Sequence, residues 1–513
     1  MCGILCSCAK EADQLKPRIA MTNLNGDEIQ LGEQIEDPYK LENMQHALDL
    51  LVNDGVSCPV TTLEANGVYM RLLPNSLEQD SILDTYEDIT FFDFPLDYEI
   101  LDGDGHYYHD PSVADSDHTW QYCVVDPGTQ FPPEIQQEIL YDVFIPDLDC
   151  DDSLFYIKLE DKSYYITGNA DEDYEDDPPV ETNSNNRRNK KFNPSASVKI
   201  YDQLKGGIIS LPNVKIVIKS KIGCKKGEMT TNSNGECTLN KSFNKSKELK
   251  YFIKWETNRF NIRYGRIGQA WTEGESGVSH WDYVINQNKK SNLYANIFRG
   301  AYRFFYGDRL GVYSAGMTRR THIGAVDENG TSYCTSLRLL GLYADIVVKL
   351  SHENSSNAII STTFHELAHQ SHMLFMSRRL YNGVKKVVYE SWASAVEWRL
   401  LNDYYNFSIG SPNIYNYAAS RQYWKSDVNN EASAYTPLLI DLIDTYNQKG
   451  LNESKVNDLI SGYTLSYIQD SILPTSFGLS SLYSSVKSHK LPGINDAAID
   501  SLFSPFWGLE FTW

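Results

Sequence analysis

The chain has 513 residues, room for roughly two to four domains, and 41% of them are hydrophobic, enough for real cores. Its 68 acidic and 46 basic residues leave a net charge of −22. That argues against a nucleic-acid-binding face, which needs clustered cations, and against adsorption to anionic lipid. No apolar run is long enough to span a bilayer.

In chain order, the first segment is residues 1–36. It opens MCGILCSCAKEADQ and continues as a polar tether. Leu5, Cys6 and Ser7 ahead of Cys8 resemble a bacterial lipobox, and Lys10, Glu11 and Asp13 after it resemble the acidic export tag of Bacteroidetes surface lipoproteins. The resemblance implies a lipid on Cys8 as the only membrane attachment, and an outer-membrane or cell-surface location. Seven residues cannot supply the charged and apolar regions of a signal. The expectation is therefore a start further upstream, or a chain that is a fragment.

Residues 37–166 alternate apolar and aromatic segments, such as GVYMRLLP and TFFDFPLDYEI, punctuated by Pro and Asp-Gly. They predict an acidic mixed domain of short strands with one helix over 39–52. His106, His109 and Asp110 in HYYHDP are expected in a surface loop rather than at a metal. Residues 167–194 are dominated by charge, Pro and Asn, which cannot bury enough to offset ordering, and read as a disordered linker.

Residues 195–257 read as all-β. VKIVIK alternates, and Asn234-Gly235 between strand-like runs signals a hairpin. Cys224 and Cys237 flank that stretch as the best local disulfide pair. LPNVKI, then TNSNGECTL, then KYFIKW resemble carboxypeptidase-regulatory-like, transthyretin-like domains. The resemblance implies a small β-sandwich beside a peptidase domain.

Residues 258–513 read as mainly helical with a small sheet. A helical stripe runs over 290–306, and a β-branched strand over 345–350 precedes SHENSS, where Ser355 or Ser356 caps the next helix. That helix carries FHELAHQ, with His365 and His369 four residues apart. The spacing puts both imidazoles on one helical face, able to reach one metal ion. Glu366 is rotated about 100° away, placed to touch the attacking water instead of the metal. A catalytic zinc needs a third protein ligand and an open position. His372 is about 10.5 Å along the helix axis from His365, too far. Phe375 stands where a metzincin would have its third His, which excludes that family. Glu390 in YESWASAVEWRLL is the better third ligand. If the first helix stops near Asn382-Gly383 and GVKKVV returns extended, Glu390 arrives near the metal in the first turn of a second helix.

The strand, the H-E-x-x-H helix and a glutamate some 20 residues on resemble the gluzincin group of zinc metallopeptidases, over about 345–400. The resemblance implies Zn2+ on His365, His369 and Glu390, with Glu366 as general base. It also implies an edge strand, DIVVKL, that holds a peptide. Two departures stand out. Ser394 occupies the place of the aspartate that orients a zinc-bound histidine in thermolysin-like members, and the Gly-x-Met-x-Asn sequence of the aminopeptidases is absent, which favours an endopeptidase. Glu397 is read as a partner of a ligand, His372 as such a partner or a surface residue, and Tyr435 as the oxyanion stabiliser.

The whole predicts a multidomain α+β protein: a mixed N-terminal domain, a small sandwich and a mainly helical zincin-like catalytic domain. Its expected substrate is protein or peptide. Two rivals stay open, a non-catalytic surface binder that keeps the site and a zinc amidase acting on cell-wall peptides.

Overall fold

The fold is taken from a computed structural model. It describes residues 30–169, 191–407, 436–447 and 457–506, apart from 84, 87–88, 90, 93, 103–107, 115–116, 147–151, 221–224, 244–248, 266–267, 314–319, 331, 335–343 and 377–383. The Cys8 region and Tyr435 lie outside the described residues, as does most of the 167–194 linker. The protein is a multidomain mixture of helices and several small sheets, an α+β architecture.

The N-terminal unit holds strands β1 (Gln30–Gln34), β2 (Gly67–Leu73), β3 (Tyr98–Asp102), β4 (Gln121–Val125) and β5 (Gln136–Val143). β1 pairs with β3, and β2 lies between β4 and β5 in an antiparallel sheet. Helix α1 (Leu41–Asn53) forms where a helix is predicted, burying Met44, Ala47, Leu48 and Leu51 at helical spacing. Two further helices were not expected, α2 (Leu77–Leu83) and α3 (Ser153–Ile166). In α3 the buried Phe155, Ile157 and Leu159 alternate as they would in a strand. Packing against α1 overrides that local pattern. His109 bonds to the Asp117 carbonyl, while Asp110 holds Ser112 and Tyr122, a structural role.

The middle unit has two four-stranded sheets. One joins β6 (Ser195–Asp202) to β7 (Gly207–Ser210), β10 (Glu236–Thr238) and β15 (His280–Ile285). The other orders β8 (Lys215–Ser220), β9 (Lys225–Thr230), β11 (Leu249–Lys254) and β14 (Trp271–Ser276) as β14-β11-β8-β9. The β-set therefore does not close at 257, because β14 and β15 complete both sheets. The Asn234-Gly235 turn also departs from a simple hairpin. β9 pairs with β8 and β10 pairs with β6, so the turn carries the chain from one sheet to the other. Gly235 is required there: its φ is +74, and a Cβ would press on the Val198 carbonyl. Cys237 is a free thiol, and Cys224, its expected partner, lies outside the described residues.

The C-terminal unit is built on a mixed sheet ordered β13-β12-β16-β18-β17, from β12 (Phe260–Tyr264), β13 (Gly268–Gln269), β16 (Thr321–Val326), β17 (Tyr333–Cys334) and β18 (Ile346–Lys349). β12, β16 and β18 run parallel, and β17 is antiparallel to β18. The expected strand forms, but it is not the edge: β17 covers it. Helices α4 (Ser291–Tyr306), α5 (Ser356–Met376) and α6 (Lys386–Tyr405) pack together, α5 between the other two. A short helical turn, Leu438–Asp441, and helices α7 (Leu479–Ser488) and α8 (Asp496–Phe503) follow. One apolar core runs from Ala196 to Phe506, so the middle and C-terminal units share it across residue 257.

The N-terminal unit is joined to this body by ions. Arg320, just ahead of β16, is 1% exposed and meets Glu160 at 3.2 Å and Asp161, both on α3, and Glu256 at 3.3 Å. Lys254 and Lys215 also reach Glu256. Next along the chain, the His322 ring meets that of Tyr164.

Candidate metal centre

α5 is buried along almost its whole length, as a helix sandwiched between two others must be. Among its buried polar residues, Ser361, His365 and His369 are spaced four apart along one face. Glu390 and Glu397 on α6 face them.

The histidine Nε2 atoms are 3.1 Å apart, and Glu390 Oε2 lies 3.1 Å from His365 Nε2 and 3.4 Å from His369 Nε2. These three form a group able to hold a metal ion. A tetrahedral ion with bonds of 2.0–2.1 Å places its ligands about 3.3–3.4 Å apart, so the donor atoms sit near the edges such an ion needs. On its other side, His365 Nδ1 lies 2.9 Å from Glu397 Oε2. That carboxylate accepts the Nδ1 proton and leaves the Nε2 lone pair for a metal. Ser361, one turn before His365, donates to the other Glu397 oxygen. The donor set fits a divalent cation with nitrogen and oxygen ligands.

The electrostatics point the same way. Burial would push the His365 imidazole down, but Glu390 and Glu397 on either side raise it to about 10. His369, buried beside another imidazole, is lowered. Burial alone would raise Glu390, yet the two histidines hold it well below the usual carboxylate range. Two carboxylates closing on buried imidazoles favour a positive charge at their centre, which a proton on His365 supplies as well as a bound cation would.

Two details of the expected approach differ. Residues 386–388 are the first turn of α6 and not an extended return. Glu390 is consequently in the second turn, and helix packing rather than a returning strand delivers it. His372 is buried, not on the surface. Its Nε2 meets the Met376 sulfur at 2.9 Å, its ring faces Trp392, and burial lowers its pKa to about 3. It stands outside the ligand group. Glu366 is buried one position on from His365 and is likewise no member of the group.

Tyr389 was missed. Its ring lies 5.6 Å from that of His369. Its adjacency to Glu390 was the signal available. Tyr435 cannot be placed, but the next residue, Thr436, bonds to Ser391, which follows Glu390, through both its hydroxyl and its N–H at 2.9 Å.

A second buried group gathers Asp441, Asp444 and Asp458 with oxygens within 4.8 Å of one another. Burial raises Asp444 to about 7 and Asp458 to about 8, the latter with Asp444 adding. Asp444 and Asp458 accept the Tyr446 and Ile460 N–H groups.

Compared with family models, curated proteins and solved structures, the chain matches none.

Proposed function

We propose that the protein is a zinc-dependent peptidase of gluzincin type, with an endopeptidase as the favoured form. One observation carries the reading: His365, His369 and Glu390 converge with near-tetrahedral spacing, and Glu397 backs His365 from its far side. A bare pair of histidines on a helix needs neither carboxylate.

His365, His369 and Glu390 would hold the zinc. When bound, it supplies a Lewis acid and lowers the pKa of a water at the open position. Glu366 takes a proton from the attacking water and returns it to the leaving amine. Glu390 and Glu397 together orient the His365 ring. Tyr435 remains the candidate to stabilise the developing oxyanion, and Tyr389 is close enough to the His369 ring to serve beside it. The antiparallel outer strand β17 is the natural partner for an extended peptide. The lipobox resemblance at Cys8 supports a cell-surface lipoprotein as the carrier of this activity.

Elemental analysis of the purified chain, wild type against Glu390→Ala, tests the reading. About one zinc per chain in the wild type, lost in the variant, supports it. A folded wild type without zinc overturns it. Zinc retained without cleavage of any peptide in a mixed library favours the surface binder. Cleavage of cell-wall peptides alone favours the amidase.

A further inference from the structure

The first turn of α4, strand β14 and the end of β12 enclose an open cleft of about 510 Å³. It is separate from the histidines. Asn292 in that first turn is tied to the carbonyls of His352 and Asn354, just ahead of α5, and His365 lies about 15 Å further along that helix.

Two features distinguish the cleft from an ordinary surface dent. The first is its aromatic wall, formed by Tyr264, Trp271, Tyr283 and Tyr294. Tyr264 is 57% exposed, which leaves its ring accessible to a ligand. Tyr283 is fixed to the helix by a 2.8 Å bond between its hydroxyl and that of Ser291.

The second feature is positive charge, in a chain whose net charge is −22. Lys290 stands 4.1 Å from the Tyr264 ring centre and Lys289 stands 4.4 Å from that of Tyr283. Both lysines directly precede α4. That helix has no acidic residue in its first turn and no side-chain cap, so the positive end of a 16-residue dipole adds to the two ammonium groups, although the Asn292 and Leu293 N–H groups already donate to the Lys289 and Lys290 carbonyls.

We infer that this cleft binds an acidic saccharide. A pyranose ring presents one face of C–H groups and a rim of hydroxyls. The C–H face suits an exposed aromatic ring, and the rim suits charged side chains such as Glu273 and the lysines. A carboxylate or sulfate on the sugar answers the ammonium pair and the helix end. The openness of the cleft suits one stretch of a longer chain rather than an enclosed small molecule. A neutral sugar leaves the charge unused, and an acidic peptide leaves the ring faces unused. The inference does not depend on the peptidase reading, since the two sites share no residue.

Calorimetric titration of the full chain with a uronate oligosaccharide and a sulfated one tests it, with a neutral maltooligosaccharide and an oligoglutamate of similar length as controls. One or both acidic sugars should bind, more weakly as salt rises. Tyr264→Ala and Lys290→Ala, both at exposed positions, should each weaken binding by about tenfold with thermal unfolding unchanged. Equal affinity for the neutral sugar would overturn the role given to the lysines. Equal affinity for oligoglutamate would overturn the role given to the rings. No binding of either acidic sugar would sink the inference outright.

Discussion

Glu397 Oε2 lies 2.9 Å from His365 Nδ1, while Glu390, two turns earlier on the same helix, lies 3.1 Å from the Nε2 atom of that ring. One helix thus grips both nitrogens of one histidine. Ser394, between the two glutamates, takes no part: its hydroxyl has no hydrogen-bond partner among the described residues. The carboxylate beside His365 Nδ1 comes from Glu397, three residues after position 394.

This arrangement separates three variants. Glu390→Ala should abolish tight metal binding. Glu397→Ala should keep the ligands but weaken metal affinity by about 10–100-fold, because the His365 ring loses its orienting partner. Ser394→Ala should leave affinity unchanged and be neutral or slightly stabilising, since it removes a buried hydroxyl that makes no bond. Competition with a chromogenic chelator reads all three.

Glu366→Gln should retain the metal and lose activity by about 10²–10⁴-fold, the usual worth of a positioned general base. Hydrolysis of a quenched-fluorescent peptide library checks it. Full activity in this variant would remove Glu366 from the mechanism.

Arg320→Ala should destabilise the fold by about 3–5 kcal/mol, because Glu160 and Glu256 would stay buried without their guanidinium. Burial alone would raise Glu256, but Lys215, Lys254 and Arg320 hold it well below its ordinary range. Urea unfolding measures the loss. Arg320→Met, which keeps the volume but not the charge, should not rescue it.

Asp37 gives a pH dependence. Burial raises its carboxyl to about 7, against the pull of the Tyr39 N–H it accepts. Its folded pKa is above the unfolded one, so the folded state binds the extra proton. The stability it contributes is present in full below about pH 4, and is lost as pH rises through about 7. Asp37→Asn should flatten that slope, measured as urea midpoints at pH 5 and pH 8.

Gly235→Ala should cost more than about 1 kcal/mol, since the position needs a positive φ and a Cβ would meet the Val198 carbonyl. Thermal unfolding checks it, and Asn213→Gly, at a positive φ of 65 elsewhere in the same unit, serves as the opposite control.

The local sequence determined much of this. Four-residue spacing on α5 put His365 and His369 on one face whatever surrounded them, and the apolar stripes of α1 and α4 fixed those helices. The β-branched run before α5 became β18. Each depends on contacts within a few residues, where periodicity and propensity act directly. Other features depended on contacts far apart in the chain. Sheet pairing put β17 outside β18 and drew β14 and β15 into the middle unit, and no local pattern encodes which strand a strand meets. Packing against α1 made a helix of α3 despite its strand-like alternation. The packing of α6 on α5 made Glu397, not residue 394, the partner of His365, because the crossing of two helices decides which turn of one faces a given turn of the other.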